Sequence, residues 1–523
     1  MSFVQDLALL ATAWGHVFLA PYTKVEESFN LHAVHDVLMY GVGPDAIQNF
    51  DHKIFPGAVP RTFIGSVLLA WVSAPVIKVA AALDLVDSKA DLQVIVRLVF
   101  ATINAFGLIL VRRAVSRWLG RLTGFLWTLL TCTQPYLPFW MGRTLPNMFA
   151  LFPVNLAISL LIPNSTARAS PTQSRLLAAI SLLVFAGVVF RSEVALLLAP
   201  VAVHAMLFIV PPFRVIRTGI ISAVVSMGLT VIVDSYFWGQ YPLWPELYAV
   251  YFNVFQGKSS EWGVSPFYAY FLVHAPKLLL SSFFLFFIGF LADSRLYPLA
   301  VYALSFVTCL SFLGHKEWRF IIYVVPLLNV AAARGARILV SLPKGTLLGR
   351  FCFAALFLML FANSGYTLFY THTSLGNYPG GVALVRFNEY YKDVDNVHVH
   401  ISNLAAQTGA SLFLQTHSTP HHPSLPSPSL GMNWTYNKTE NLATYSPSRF
   451  THLITEASES IPRGWRKVEC IEGFDKWSLM PDVLLNSKGN MGTVDLDLGT
   501  LLRVSRKILT IETSNKLCIV ERS

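Results

Sequence analysis

The chain has 523 residues, of which 54% are hydrophobic and 13% are charged, whereas ordinary soluble domains carry about 25% charged residues. With a mean hydropathy of +0.53, this composition excludes a soluble globular protein and indicates a polytopic α-helical membrane protein. The formal net charge of +10 is typical of basic loops beside anionic membrane lipid, so we do not expect nucleic acid as a partner.

Apolar runs near helical length follow one another along the first two thirds of the chain. About 20 helical residues span the hydrocarbon core of a bilayer, so each run is a candidate crossing. The runs lie at about 3–20, 63–83, 92–111, 122–139, 145–162, 176–190, 193–210, 218–234, 267–292, 296–313, 320–333 and 351–369. We therefore predict a transmembrane domain over residues 1–369 with about 11 to 12 membrane segments. The first run is expected to be a retained helix rather than a cleaved signal peptide.

Clusters of arginine and lysine predict which connections face the cytoplasm. The basic connections are 112–121, 214–217 and 334–350. Counting back from the last one places 142–147, 191–193, 235–266 and 315–320 in the lumen. This alternation of sides fails at one point. Two full crossings between the luminal loop at 21–62 and Arg112 would return the chain to the lumen, whereas Arg112 is predicted to be cytoplasmic. Either one run between 63 and 111 is not a full crossing, or one basic loop is misplaced.

The composition changes after about residue 370, and we expect residues 370–523 to form a luminal mixed α/β domain. Short strands are predicted at 398–401, 411–414, 450–454 and 477–480, and a turn-rich, mobile stretch at 418–428. Sequons at Asn433 and Asn437 are usable only in the lumen. Cys470 and Cys518 are available for a disulfide in an oxidising lumen, and the spacing of the five cysteines predicts no metal site.

The first polar stretch, Pro21 to Arg61, holds more ionisable residues than a turn requires, among them the adjacent Glu26 and Glu27. Ionisable side chains at membrane depth cost at least about 2.5–3.5 kcal/mol each at a helix centre, so they indicate function by default. The alternative is that they sit at helix ends and extend into the headgroups. Acidic, basic and amide side chains recur on several predicted luminal connections, which favours one site. They are Arg143, Asn147, Arg191, Glu193, His315, Lys316, Glu317 and Arg319.

This mixture of side chains indicates group transfer from a lipid phosphate to a polar acceptor. A carboxylate can remove a proton from a hydroxyl group, and cationic side chains at the membrane surface can hold a phosphate leaving group. A lipid or sugar transporter is the rival from another class, but it predicts charges at mid-membrane on broken helices. A metal site is the alternative for His32, His35 and Asp36, although no third clear ligand accompanies the two histidines.

Several motifs resemble those of the dolichyl-phosphate-mannose-dependent mannosyltransferases of the GT-C class. The matching runs are PYTKVEESFNLHAVHDVLMYG from residue 21, FDHKIFPGAVPRTFIG from 50, GRTLPNMFAL from 142, FRSEVALLLAP from 190 and HKEWRF from 315. The first two runs are the most specific. They look closest to the subfamily that adds the eighth mannose, in α-1,6 linkage, to the lipid-linked N-glycan precursor in the endoplasmic reticulum.

The resemblance implies roles for individual residues. One of Glu26 and Glu27 would be the general base on the mannose 6-hydroxyl, and which of the two is left open. His315, Lys316 and Arg319 would bind the donor phosphate. A further set is expected to bind donor or acceptor, namely Lys24, Asn30, Asp51, His52, Arg61, Arg143, Asn147, Arg191, Glu193 and Glu317.

The resemblance also implies substrates and a location. The donor would be dolichyl-phosphate-mannose and the acceptor the seven-mannose dolichyl-diphosphate-linked oligosaccharide, at a site facing the lumen of the endoplasmic reticulum. Inversion at the anomeric carbon would need one displacement and no covalent glycosyl-enzyme. Neither a metal nor another cofactor is expected. The alternative within the family is an α-1,2-mannosyltransferase that acts on another glycan branch or on a glycolipid anchor.

Overall fold

The computed structural model describes residues 2–165, 170–425, 433–440, 449–459, 461, 463–479 and 509–523. The chain divides into two compact units. Unit 1 consists of Met1–Pro21, Glu26–Phe369 and Pro420–Pro426, and unit 2 of Tyr22–Val25, Tyr370–Thr419 and Ser427–Ser523. Apart from the short segments Tyr22–Val25 and Pro420–Pro426, unit 1 therefore ends at Phe369 and unit 2 begins at Tyr370.

Unit 1 is helical, because lipid offers the backbone no hydrogen bonds and a helix satisfies its own. Its α-helices are α1 Ser2–Leu19, α2 Val25–Tyr40, α3 Pro44–Ile47, α4 Ile64–Ala82, α5 Lys89–Leu119, α6 Arg121–Cys132, α7 Leu137–Trp140, α8 Pro146–Leu161, α9 Gln173–Phe185, α10 Val194–Phe208, α11 Pro212–Trp238, α12 Pro245–Val250, α13 Ala275–Leu279, α14 Ser281–Ala292, α15 Tyr297–Ser311, α16 Val325–Ser341 and α17 Leu347–Leu375, which runs on into unit 2. Single π turns extend α9 over Ala186–Phe190 and precede α13 over Tyr270–His274, and a 3-10 helix at Trp318–Val324 precedes α16.

Seven helices in the described chain are long and apolar enough to cross a membrane, or eight if the bent pair Tyr270–Leu279 and Ser281–Ala292 is one span. This number is below the 11 to 12 predicted segments because α6, α8, α10 and α15 are only 12 to 16 residues long. Their apolar runs are cut short by turns, and Pro153 and Pro200 lie inside two of them. The fold class is nevertheless the predicted polytopic helical membrane protein.

Helix α4 meets the length and composition of a span, yet the chain segments before and after it are bound at the same end of unit 1. Before its start, the Phe63 backbone N–H donates to Asp234 near the last turn of α11. After its end the chain enters α5, where Gln93 donates to the Pro21 carbonyl at 2.7 Å and Arg97 to the Ala20 carbonyl at 2.6 Å. These contacts favour the alternative in which one run between 63 and 111, here α4, is not a full crossing.

The opposite end of unit 1 carries the basic connections. Asp6 near the start of α1 forms 2.7 Å ion pairs with Arg112 and Arg113 near the end of α5, so these two helices run antiparallel. Asp293 before α15 likewise accepts hydrogen bonds from Arg295 and from Arg334 of α16. Single carboxylates thus hold pairs of arginines where the sequence predicts the cytoplasmic side.

Unit 2 contains a five-stranded mixed sheet, as the predicted α/β domain requires. Its strands are β1 His398–Ile401, β2 Thr435–Asn437, β3 His452–Glu456, β4 Trp465–Leu479 and β5 Leu509–Arg522, in the order β2-β1-β3-β5-β4. Strand β1 pairs in parallel with β2 and β3, whereas β5 pairs antiparallel with β3 and β4. The helices are α18 Pro379–Tyr390 and α19 Asn403–Gln407.

Three of the four predicted strands coincide with strands of this sheet, and one prediction is wrong. Residues 412–414 form a 3-10 helix in which the consecutive side chains Phe413 and Leu414 are both buried. Strand geometry would instead send neighbouring side chains to opposite faces. Met480, from the last predicted strand, and residues 426–428 of the turn-rich stretch lie outside the described residues.

The cysteine pair and the sequons also lie in unit 2. Cys470 of β4 and Cys518 of β5 are joined by a disulfide across an antiparallel pair of residues. Asn433 is exposed just before β2. Asn437, in contrast, is partly buried, and its side-chain oxygen accepts the Thr439 backbone N–H at 2.9 Å.

Candidate active site

The first turn of α2 presents the two adjacent glutamates in opposite environments. Glu26 is exposed, whereas Glu27 is fully buried, and its Oε1 accepts a hydrogen bond from Arg143 Nη1 at 2.8 Å. Exposed backbone N–H groups at a helix start favour carboxylates at this position. The residues predicted to share catalysis therefore differ in access, because only Glu26 is open to a substrate.

Arg143 is fixed from several sides. Its guanidinium carbon lies 4.4 Å from the centroid of the Phe139 ring and 5.1 Å from that of Trp140. The next residue, Thr144, donates its hydroxyl to the Glu27 carbonyl, and its own carbonyl accepts from Asn30 Nδ2 at 2.8 Å. The loop before α8 is thereby tied to α2 by an ion pair and two hydrogen bonds.

A second cluster joins the predicted residues Asn147, Arg191 and Glu193. Glu193 Oε1 accepts from Arg191 Nε at 2.9 Å, from Asn147 Nδ2 at 2.9 Å and from the Tyr323 hydroxyl at 3.2 Å. Burial opposes the charge of Arg191, but the carboxylates of Glu193 and Glu246 outweigh it and raise the pKa of the guanidinium. Arg191 is consequently a permanent cation.

Glu246 belongs to this cluster although the sequence did not predict it. It lies at the start of α12, is 5% exposed, and its Oε2 accepts the Ser192 backbone N–H at 2.7 Å. Burial raises the pKa of its carboxyl group, while the nearby Arg191 opposes the shift. One signal could have found it, because Glu246 is the only acidic residue between Asp234 and Glu261, in a stretch rich in aromatic residues.

Arg61, at the end of the first polar stretch, lies near both clusters. Burial lowers the pKa of its guanidinium to about 10, and the positive charges of Arg191 and Arg319 add to this effect. Its guanidinium group makes no hydrogen bond or ion pair with any residue that the structure describes. It lines a small cavity together with Asn30, Glu246 and the Phe190 ring.

The HKEWRF motif forms a compact group of its own. Glu317 Oε1 accepts from Arg319 Nη2 at 2.7 Å and lies 2.9 Å from His315 Nε2. The ammonium group of Lys316 donates to the backbone carbonyls of Ser265 and Leu313, and its predicted role in binding phosphate stays a prediction. Lys316 therefore fixes the loop before α13. Arg319 is the residue of this motif whose positive charge contributes to the lowered pKa of Arg61.

The remaining predicted residues have protein partners elsewhere. Asp51 Oδ2 lies 2.9 Å from His32 Nδ1, and His52 Nε2 lies 3.0 Å from the Phe237 carbonyl. Lys24 belongs to unit 2, where its ammonium group lies 5.9 Å from the centroid of the Tyr378 ring. A role for Lys24, Asp51 and His52 in substrate binding stays a prediction.

The histidines considered for a metal site are each paired with one carboxylate. His32 contacts Asp51, and His35 Nδ1 lies 2.9 Å from Asp36 Oδ1. Among the residues described, no group of three or more His, Cys, Asp or Glu side chains is arranged to hold a metal ion.

The architecture matches two solved structures of one protein. Over 99% of this chain and 97% of the other, the structure superposes with a TM-score of 0.54 and 10% identity on ArnT from Cupriavidus metallidurans bound to undecaprenyl phosphate. The apo ArnT structure gives a TM-score of 0.51 at 12% identity. This likeness defines the fold alone, which is GT-C.

Sequence comparison then identifies the family. A model of the Alg9-like mannosyltransferase family matches residues 7–421. A Drosophila melanogaster protein named Dol-P-Man:Man(7)GlcNAc(2)-PP-Dol alpha-1,6-mannosyltransferase is 38% identical over 87% of this chain, and the match spans 63% of that relative. An Arabidopsis thaliana protein of the same name is 32% identical over 94% of both chains. The chain belongs to the Alg9-like mannosyltransferase family, which confirms the resemblance drawn from the motifs.

A relative with another name matches far less of the chain. The GPI mannosyltransferase 3 of Yarrowia lipolytica is 32% identical over 28% of this chain. The share of this chain that aligns is therefore much larger for the relatives named as alpha-1,6-mannosyltransferases than for the relative named as a GPI mannosyltransferase.

Proposed function

We propose that this chain transfers mannose from dolichyl-phosphate-mannose, in α-1,6 linkage, to the seven-mannose dolichyl-diphosphate-linked oligosaccharide at the luminal face of the endoplasmic reticulum. The observation that carries the proposal is the exposed Glu26 beside the buried Glu27–Arg143 pair. Four relatives aligned over 86% to 94% of this chain carry that activity in their names, one of them as probable.

In this proposal Glu26 is the general base. Its carboxylate takes the proton from the 6-hydroxyl of the acceptor mannose as the oxygen attacks C1 of the donor mannose. The new O–C1 bond forms as the C1–O bond to phosphate breaks, and the electron pair leaves with dolichyl phosphate. A β-linked donor becomes an α-linked product in this single displacement, without a covalent sugar–enzyme intermediate.

Glu27 has a different task, because a fully buried carboxylate bound to Arg143 cannot reach an acceptor. It holds the first turn of α2 against the loop before α8 and so orients Glu26. Glu27 and Arg143 are accordingly proposed as positioning residues. This assignment orders the two glutamates, whose roles the sequence left open.

Arg61, Arg191 and Arg319 are proposed to surround the donor phosphate. Arg61 has an uncommitted guanidinium group, while Arg191 and Arg319 are held by Glu193 and Glu317. Guanidinium groups bind phosphate oxygens through charge-assisted hydrogen bonds and offset the charge that develops on the leaving group. Because this chain can supply that charge itself, we expect transfer without a metal.

The luminal orientation is supported by two features of the chain. The basic connections lie at the end of unit 1 opposite to the candidate site, as expected for a cytoplasmic side. The disulfide between Cys470 and Cys518 needs an oxidising compartment. Accessibility of single cysteines in sealed microsomes, placed in the 191–193 connection and in the 342–346 connection, would test the orientation.

The activity is tested with purified full-length protein, dolichyl-phosphate-mannose and the seven-mannose acceptor. We expect release of dolichyl phosphate and an eighth mannose whose linkage analysis gives α-1,6. Acceptors from other glycan branches and a glycolipid-anchor precursor form the comparison. Transfer only to these would support the alternative mannosyltransferase, whereas movement of lipid or sugar across vesicles without a new glycosidic bond would support a transporter.

A further inference from the structure

The cavity beside Arg61 contains a carboxylate that the proposed reaction does not yet use. Glu246 lines this cavity, and its Oε2 is occupied by the Ser192 backbone N–H. Its Oε1 accepts no hydrogen bond from a residue that the structure describes. The side chain is held in place at one oxygen and offers the other as an acceptor.

The other polar groups around the cavity narrow what could bind there. Asn30 is committed at both atoms, because Nδ2 donates to the Thr144 carbonyl and Oδ1 accepts from Ser66. Among the polar side chains that line the cavity, the charged residues Arg61 and Glu246 thus still have hydrogen-bonding groups available for a ligand. They face one small space without forming an ion pair with each other within 4.0 Å.

A ligand that satisfies both residues must carry an anionic group and a hydroxyl group a short distance apart. Guanidinium groups select phosphate, and a carboxylate oxygen accepts hydrogen bonds from hydroxyl groups. The walls formed by Phe149 and Phe190 are aromatic, which suits the apolar face of a sugar ring. A glycosyl phosphate has this combination of groups.

We propose that Glu246 accepts a hydrogen bond from a ring hydroxyl of the donor mannosyl group while Arg61 holds the adjacent phosphate. This inference rests on the proposed function and extends it to a specificity-determining residue. Glu246 would reject donors that lack this hydroxyl or carry it in another orientation, because its buried oxygen would then lose its partner.

The rival explanation is that Glu246 only anchors the loop after α11 through Ser192 and balances nearby positive charge. Glu246→Gln separates the two roles. The glutamine oxygen can still accept the Ser192 N–H, but its amide nitrogen, a donor, then faces the cavity. Glu261→Gln is the matched control, because Glu261 lies in the same connection, is exposed, and forms a 2.6 Å ion pair with Lys258.

The experiment measures kcat/KM of full-length protein with dolichyl-phosphate-mannose and with donors in which one mannose hydroxyl at a time is replaced by hydrogen. For the unmodified chain and Glu261→Gln, we expect one deoxy donor to be worse by roughly 10- to 100-fold, the range for a hydrogen bond to a charged group. In Glu246→Gln the natural donor should lose activity and this discrimination should disappear, while the other deoxy donors keep their ratios.

Two results would overturn the inference. One is an equal loss of kcat/KM for every donor in Glu246→Gln, which is the signature of a purely structural role. The other is unchanged discrimination in that variant. Failure of the unmodified chain to transfer mannose from the natural donor would instead overturn the proposed function and this inference together, so the two kinds of failure are distinguishable.

Discussion

Glu27 Oε1 and Arg143 Nη1 lie 2.8 Å apart, and both side chains are completely buried. A buried ion pair stabilises a fold little relative to apolar residues, but removing one partner leaves an uncompensated buried charge. Glu27 is next to the exposed Glu26 in the chain. The buried pair therefore fixes the backbone that carries Glu26 and so sets the orientation of that side chain. Substitution of Glu26 should therefore affect mainly catalysis, whereas substitution of Glu27 should affect mainly the stability of the fold.

Glu26→Gln should abolish most of the turnover and leave folding intact. The exposed side chain has no buried partner to lose, while the amide cannot accept the acceptor's proton. We expect kcat to fall by about 10²- to 10⁴-fold, the usual contribution of general acid–base catalysis, with little change in acceptor binding. Steady-state kinetics with both substrates test this, and near-normal kcat would move the base elsewhere.

Glu27→Leu should instead act on stability. Loss of the carboxylate leaves Arg143 buried without its counter-charge, which typically costs about 3–5 kcal/mol. The double variant Glu27→Leu with Arg143→Met should regain much of that stability because no buried charge remains. Thermal unfolding of the detergent-purified proteins tests this, and a double variant less stable than the single one would contradict the argument. Activity should stay low in both variants, since Glu26 loses its support.

Arg319→Ala and Lys316→Met should differ although the two residues are close in sequence. Arg319 lies near Arg61 and is proposed to face the donor phosphate, so its loss should raise KM for the donor more than for the acceptor. Lys316 binds the carbonyls of Ser265 and Leu313, so its loss should speed hydrogen exchange in residues 258–269. A selective donor effect in Lys316→Met, without faster exchange, would instead support the predicted role of Lys316 as a phosphate ligand.

Much of the candidate site could be predicted because its residues occur in local motifs at helix ends. Asn147, Arg191 and Glu193 come from two separate connections, and the structure brings them together around Glu193. The alternation of basic and polar connections already placed these motifs on one side. What the sequence could not give is side-chain direction, which decides that Glu27 is buried and Lys316 faces backbone carbonyls.

Other features escaped prediction for physical reasons. Glu246 and Tyr323 are single polar residues among aromatic and aliphatic neighbours, and their relation to Glu193 arises only on folding. Helix α4 was predicted as a crossing because hydropathy reports how apolar a helix is but not its direction relative to the membrane. Its exposed face, which includes Leu68, Trp71 and Val76, is as apolar as that of a crossing.

Removing the disulfide of unit 2 should destabilise that unit. Cys470 and Cys518 are 48 residues apart in sequence, and closing a loop of this length stabilises a fold by about 4 kcal/mol in the chain-entropy model. In Cys470→Ala with Cys518→Ala, hydrogen exchange in β5 of the full-length protein should therefore accelerate. The free Cys309→Ala is the control, because that exposed residue forms no disulfide. Equal exchange in β5 of both variants would show that the bridge does not constrain this sheet.

His452 should make the stability of unit 2 depend on pH. Burial lowers the pKa of this imidazole from its usual 6.5 to about 4, although the carboxylate of Glu521, itself bound to Arg466, opposes the shift. The ring lies 4.1 Å from that of Tyr391, where a charged imidazolium would be poorly solvated. Between pH 6.5 and 4 the unfolded chain binds a proton that the folded chain does not, so stability falls as the pH falls.

The loss between pH 7 and pH 5 should be roughly 2 kcal/mol from this group alone. His452→Phe keeps a ring against Tyr391 but cannot titrate, so its decline over this range should be smaller by that amount. Hydrogen exchange of the peptide containing β3, measured in the full-length protein at both pH values, gives the comparison. Parallel declines in the variant and the unmodified chain would mean that His452 is not the residue whose protonation weakens the sheet.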